Sequence, residues 1–456
     1  MAGIGRSFFL VAGPMEGSKM KRTKAVFARL FLFCMIYLLL IPCVFAQGLP
    51  SAKPEEVGLS AERLQRVDQL MQGFVDRRQV SGTVALIARQ GKVAYFKSFG
   101  VMDESRPMTN DTIFRIASMT KPITSVAVMM LLEDGKILLN DPVSKYLPEF
   151  KSPSVLVSDG PNEDQYHLFP AKREITIRHL LDHTSGISYG FWGRRHLARL
   201  YADAGISDGL IQTEGTIGEG AKRLARMPLM NQPGEAWEYG LNTDVLGRLV
   251  EVVSGMPLDQ FFQERIFEPL GMKDTYFFLP EEKRARFAAV YTPSEEGGIK
   301  KLPEGPVRMG PVLFSTNWHY KGPRTYFSGG GGLVSTTSDY VRFLQMLLNG
   351  GKLDDVQLLG PKTVELMTRN HIGDLDIFLR APGYRFGLGF AVLVDPDRSG
   401  RIESKGEYNW SGFFYTRFWV DPKEHLIGIM MTQIRPNAQL DLDEKFRVAT
   451  YQAIMK

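Results

Sequence analysis

The sequence predicts an α/β fold in which one antiparallel sheet is built from both ends of the mature chain and flanked by helices, with a mostly helical lobe inserted between. Three observations predict it. Near the start, residues 83–88 (TVALIA) and 92–99 (KVAYFKSF) read as two strands joined around Gln90-Gly91, a hairpin signal. Near the end, residues 413–420 and 426–433 read as two more, joined across Asp421-Pro422-Lys423-Glu424. Between these pairs apolar residues recur at helical spacing instead, so the period changes twice along the chain.

Taken in order, the first segment is a leader. Lys19, Lys21, Arg22, Lys24 and Arg29 precede the apolar run 30–41 (LFLFCMIYLLLI), and Val44-Phe45-Ala46 sets small residues at −3 and −1. That order predicts a signal peptide over 1–46, cleaved before Gln47, and an exported, periplasmic or secreted product. Met20 is an alternative start, and an uncleaved N-terminal membrane anchor is the alternative fate of the segment. The leader holds six Lys/Arg and one Glu of the chain's 55 basic and 50 acidic residues, which leaves 49 of each in the mature chain. A neutral mature chain gives nucleic-acid binding no electrostatic support. Cys34 and Cys43 also fall in the leader, so the mature chain has no disulfide, thiol nucleophile or Cys metal ligand.

The mature chain, 47–456, is read as one hydrolase domain, its sheet lobe drawn from about 47–110 and 380–456. Helical spacing over 61–75 follows Ser60, a candidate N-cap. Residues 114–135 form a long helical pattern ending at Asp134-Gly135. The stretch 140–150 is punctuated by proline, and 151–172 looks like a polar surface insertion. Further helices are expected over 176–183, 243–253, 258–266, 338–349, 361–367 and 444–454.

The chemistry starts at Ser118-Met119-Thr120-Lys121. Positions i and i+3 at a helix start share a face, so an ammonium can reach the hydroxyl there. A serine hydroxyl needs such a neighbour, because its alkoxide is inaccessible at neutral pH without a base or a positive field. Alone the motif is weak: Ser18 and Lys21 in the leader match it too.

The flanking residues carry more. Phe114-Arg115-Ile116-Ala117-Ser118-Met119-Thr120-Lys121-Pro122 resembles the segment around the nucleophile of serine β-lactamases, penicillin-binding proteins and related esterases. The resemblance runs on through Leu139-Asn140-Asp141-Pro142-Val143, Tyr146-Leu147-Pro148 and Leu180-Leu181-Asp182-His183-Thr184-Ser185-Gly186. It continues in Gln232-Pro233-Gly234-Glu235 and in Gly330-Gly331-Gly332-Leu333-Val334-Ser335-Thr336. It implies a β-lactamase-like fold with Ser118, Lys121 and Tyr239 as the catalytic set. In the class C branch the second element is Tyr-x-Asn; here Tyr239-Gly240-Leu241 puts leucine at the asparagine position, with Asn242 one residue late. A phenol, which ordinarily titrates at about pH 10, acts as a base only where cations stabilise its anion, and Lys121 is the candidate cation. The third element, Lys-Thr-Gly or a variant, is matched by Trp410-Ser411-Gly412, which resembles the Trp-x-Gly of family VIII carboxylesterases. By that resemblance the N–H groups of Ser118 and Phe413 form the oxyanion hole, and Trp410, Ser411, Gly412 and Leu241 line the substrate wall.

Gly186-Ile187-Ser188-Tyr189-Gly190 also matches the nucleophile elbow of α/β-hydrolases, but a short helix rather than a strand precedes it. The histidines show no metal-ligand spacing, and His183 reads as a structural hydrogen-bonder. Losing the Lys and Asn that hold an antibiotic's carboxylate and amide removes about 2–4 kcal/mol of recognition. The expected reaction is therefore hydrolysis of a small-molecule ester, with no metal or organic cofactor. The alternatives are β-lactam or D-Ala-D-Ala peptide hydrolysis, and a non-catalytic scaffold or binding protein of the same fold.

Overall fold

The computed structural model describes residues 48–159, 165–192 and 195–455; the predicted leader lies outside the described residues. Seven strands form one antiparallel sheet: β1 (Gly82–Arg89), β2 (Lys92–Gly100), β3 (Tyr384–Phe386), β4 (Ala391–Leu393), β5 (Tyr408–Ser411), β6 (Arg417–Asp421) and β7 (Leu426–Met431). Their order is β3-β4-β5-β6-β7-β1-β2, so the two ends of the chain meet where β1 pairs with β7, Val84 opposite Met431 and Leu86 opposite Ile429. All eight residues of β1 are buried. Such a strand must be covered on both faces, and its side chains alternate between two hydrophobic clusters.

On one face Ala85 and Ile87, with Trp419, Leu426 and Met430, meet α1 (Ala61–Asp76) and the C-terminal helix. Ser60 caps α1, its Oγ accepting from Arg63 N at 3.2 Å, and Leu64, Val67, Met71 and Phe74 form its buried stripe. Each such side chain contributes about 1.5–3 kcal/mol of burial before entropy. On the other face Val84, Leu86, Phe418 and Ile429 belong to the main core, which contains α2 (Thr120–Glu133), α3 (Asn242–Ser254) and α4 (Thr337–Leu348). The C-terminal helix, α5 (Leu442–Tyr451), completes three layers. Helix α2 is buried over twelve of its fourteen residues, which explains its almost continuous apolar sequence. The α/β fold with a sheet from both ends of the chain is thus as expected.

Several elements differ from the sequence reading. The pattern over 114–135 is not one helix: Phe114–Arg115 pairs with Val334–Ser335, Ala117–Met119 is a 3-10 turn, and α2 starts at Thr120. A fully buried segment is apolar in any conformation, so periodicity could not separate these pieces. The expected strand 413–420 is also split. Residues 412–416 are a turn, closed by Gly412 N–H to Thr416 O at 2.8 Å, so Trp410 and Ser411 lie on β5 itself rather than before a strand. The supposed surface insertion contains a hairpin of Ser154–Asp159 against Gln165–Pro170. Strands β3 and β4 went unseen because strands of three residues, the first set between Gly383 and Gly387 and the second just after Gly389, carry no period-2 signal.

Candidate active site

Ser118 sits in the 3-10 turn that feeds α2, directly after Ala117, whose φ of +42° is a left-handed conformation costly for a residue with a Cβ. The turn is held by its neighbours. Tyr340 on α4 donates to Met119 O at 2.8 Å, Ile116 N–H to Leu333 O at 3.1 Å, and Thr124 Oγ1 to Gly329 O at 2.7 Å. The glycine run at 329–332 thus clamps the start of α2, where the helix dipole favours developing negative charge.

Lys121 is 1% exposed, and its ammonium uses all three donors. It donates to Ser118 Oγ at 3.3 Å, Tyr189 Oη at 2.9 Å and Gly330 O at 2.7 Å. The same Nζ lies 4.8 Å from the centre of the Tyr239 ring. Tyr239 Oη in turn accepts from Trp410 Nε1 at 3.3 Å. Ser118, Lys121, Tyr239 and Trp410, scattered over nearly 300 positions of sequence, are therefore brought together.

The remaining expected site residues divide. Ser118, Tyr239, Trp410, Ser411, Gly412 and Phe413 line one cavity of about 260 Å³, walled by Tyr189, Phe191, Trp192, Leu210, Val312 and Leu379. Leu241 does not line it. It is buried in the core and its carbonyl accepts from Asp244 and Val245 at the start of α3, because the turn after Tyr239 carries the next side chain away from the cavity. Asn242 likewise faces inward, donating to Ile187 O at 3.2 Å and meeting His183 Nδ1 at 2.9 Å. Burial, with the Lys121 charge behind it, holds His183 well below its ordinary pKa, which fits a neutral structural partner. Ser188 is fully buried and donates to Glu238 Oε1 at 2.5 Å, so the elbow-like motif offers no nucleophile to the cavity.

That motif does supply a residue missed in the sequence. Its next position, Tyr189, bonds Lys121, stacks on Phe191 and meets Tyr239 edge-on at 5.5 Å. Burial, reinforced by Tyr239, Asp244 and Asp208, pushes the Tyr189 phenol well up, so it stays neutral and accepts from the ammonium. The only local hint was two glycine-bounded turns, and Gly240 shows why they converge: a Cβ there would fall 2.3 Å from Ile187 O. Asp208 also reaches the cavity; burial raises its carboxyl to about 6 despite the Gly190 N–H it accepts at 2.9 Å.

The place of Phe413, whose N–H is the expected second oxyanion donor, is set by Gly412. A Cβ at this position would lie 2.1 Å from Thr416 Oγ1 and 2.4 Å from Ile116 O, so glycine alone lets the β5–β6 turn abut the backbone just before Ser118. Among the described residues the Phe413 N–H meets no backbone acceptor. Gly412→Ala is expected to lower kcat/KM about 100-fold by moving Phe413 away from Ser118. Overpacking should also cost about 1–3 kcal/mol in a denaturant titration. Unchanged kinetics would remove Phe413 from the site. Among the described residues no cluster of three His, Asp or Glu is placed to hold a metal.

Known proteins resemble this chain in sequence and fold. Esterase EstB of Burkholderia gladioli is 33% identical over 393 residues, 84% of this chain and 93% of that protein. Lovastatin esterase of Penicillium rubens is 29% identical, covering 85% and 98%. The solved structure of EstCE1, described as a hydrolase with promiscuous acyltransferase activity, superposes with a TM-score of 0.76 at 29% identity, covering 86% of this chain and 99% of its own. With residues 67–452 matching the family model described as Beta-lactamase, and with esterases among its relatives, the chain belongs to the β-lactamase family of serine hydrolases.

Proposed function

We propose that the protein hydrolyses carboxylic esters through an acyl-enzyme on Ser118. The observation that carries this reading is the chain Ser118–Lys121–Tyr239–Trp410 on the wall of an apolar, aromatic cavity. Ser118 Oγ attacks the ester carbonyl while its proton passes to Tyr239, whose anion the Lys121 ammonium stabilises. The oxyanion is held by the N–H groups of Ser118 and Phe413. Collapse breaks the C–O bond, and Tyr239 returns the proton to the leaving alcohol. Water then attacks the acyl-enzyme by the same route and releases the acid; another alcohol in place of water would give transesterification. The apolar leader over 1–46 supports export of the mature chain as part of the same reading.

The named activities of EstB, lovastatin esterase and EstCE1 favour an ester over a β-lactam, as does tryptophan in place of the lysine of Lys-Thr-Gly. The test is a side-by-side assay with a short-chain p-nitrophenyl ester and nitrocefin, with a fluorophosphonate probe to locate the reactive serine. The ester is expected to show the higher kcat/KM and the probe to label Ser118. A higher kcat/KM on nitrocefin would reverse the assignment.

A further inference from the structure

We propose that the cavity recognises a carboxylate group on its ester substrate, held by the guanidinium of Arg435. The proposal rests on the ester reading and narrows its substrate class to anionic esters.

Arg435 and Arg417 both line the cavity on the side of Phe413. Arg417 is neutralised: its Nε donates to Asp443 Oδ2 at 2.9 Å. Arg447, deeper under the sheet, is paired with Glu403 at 2.6 Å and Glu407 at 2.9 Å. Arg435 differs from both, because among the described residues no carboxylate pairs with it. Its Nη1 donates to Asn437 Oδ1 at 3.3 Å, and its Cζ lies 4.0 Å from the centre of the Phe413 ring. Asn437 is itself fixed, donating to Phe413 O at 3.3 Å. The guanidinium is thus oriented by a neutral amide and an aromatic face, neither of which cancels its charge.

Fixing through Nη1 leaves Nη2 without a hydrogen-bond partner among the described residues, whereas Nε is buried, unpaired and closed to a ligand. Nη2 is thus the donor left for a carboxylate, in a charge-assisted hydrogen bond. A partly buried cation without a counter-charge carries a desolvation cost. Burial, with Arg417 adding its repulsion, lowers the Arg435 pKa to about 10, so the group remains a cation at neutral pH and a bound anion relieves both penalties. Asp208 stands elsewhere in the cavity lining and, as an acid, disfavours an anion beside it. The two groups together orient a carboxylate toward Phe413. Anion recognition that the tryptophan at 410 cannot supply is in this way supplied from beyond β7.

Two matched pairs of esters locate the carboxylate. Mono-p-nitrophenyl glutarate against p-nitrophenyl valerate places it on the acyl side. The butyrate ester of 4-hydroxybenzoate against that of 4-hydroxybenzamide places it on the alcohol side. In at least one pair the charged member is expected to have the higher kcat/KM by about tenfold, with the ratio falling by about the same factor in Arg435→Gln. No preference in either pair, or a ratio untouched by Arg435→Gln, overturns the proposal. Calorimetry with Ser118→Ala reads the same question without turnover: the charged ester should bind more tightly than its neutral match, and the difference should vanish in Ser118→Ala/Arg435→Gln. Binding selectivity without hydrolysis by the native enzyme would retain the anion site and discard the ester reading. Hydrolysis without selectivity would do the reverse.

Discussion

Ser118→Ala is expected to lower ester turnover by on the order of 10⁴-fold or more, with the melting temperature unchanged or slightly raised. The chemical effect is large because, in the proposed cycle, every later step passes through the acyl-oxygen bond formed at Ser118. The stability effect is small for a local reason. Of the three bonds from Lys121, the one to Ser118 is the longest at 3.3 Å, and those to Tyr189 and Gly330 remain. The turn itself is held by Tyr340 and Leu333 through the main chain, so removing one hydroxyl does not release it. Initial rates and a thermal melt check both halves. Residual turnover comparable to the native enzyme would move the chemistry to another residue.

Lys121→Met should reduce kcat/KM by about 10³-fold, the next largest effect. Methionine keeps the apolar stem and removes the charge and all three donors. Ser118 then loses its proton partner, and the cation 4.8 Å from the Tyr239 ring is gone. The rate of fluorophosphonate labelling at Ser118 should fall in parallel, which separates a lost nucleophile from lost substrate binding. Stability responds to opposing terms. The orphaned Gly330 carbonyl costs about 1–3 kcal/mol, and removing a buried ammonium returns part of that. Asp244 is affected as well. Burial already raises its carboxyl, and Lys121 is one of the groups that oppose the shift, so its pKa should rise further in the variant. Ester turnover within tenfold of the native rate would end the case for Lys121 in activating Ser118 and Tyr239.

The reach of the sequence can be judged from these same residues. Ser118, Lys121, Tyr239 and Trp410 were legible because each sits in a short motif whose spacing expresses a chemical need. Tyr189 was not, since its contact with Lys121 is purely tertiary and its own segment resembles a different enzyme's motif. Leu241 was misplaced for a related reason: a motif gives order along the chain, and a tight turn decides which side chain faces the cavity. Arg435 stood outside every motif, so the tryptophan at 410 read as a loss of charge recognition with no replacement in view. The sheet from both ends was readable in β1, β2 and β7, which are long enough to alternate, and unreadable in β3 and β4.

The pairing of β1 with β7 joins groups 348 positions apart, as in the hydrogen bond from Thr83 to Met431 O. A sheet whose β1–β7 seam needs residues 426–431 of a 456-residue chain cannot close until synthesis is nearly complete. The nucleophile helix emerges early, yet the turn holding Phe413 opposite Ser118 exists only once synthesis is almost complete. Nascent chains are consequently inert as hydrolases, and truncation before β7 should leave no partly active fragment. An incomplete sheet also leaves the sheet lobe without its core until translation is nearly finished.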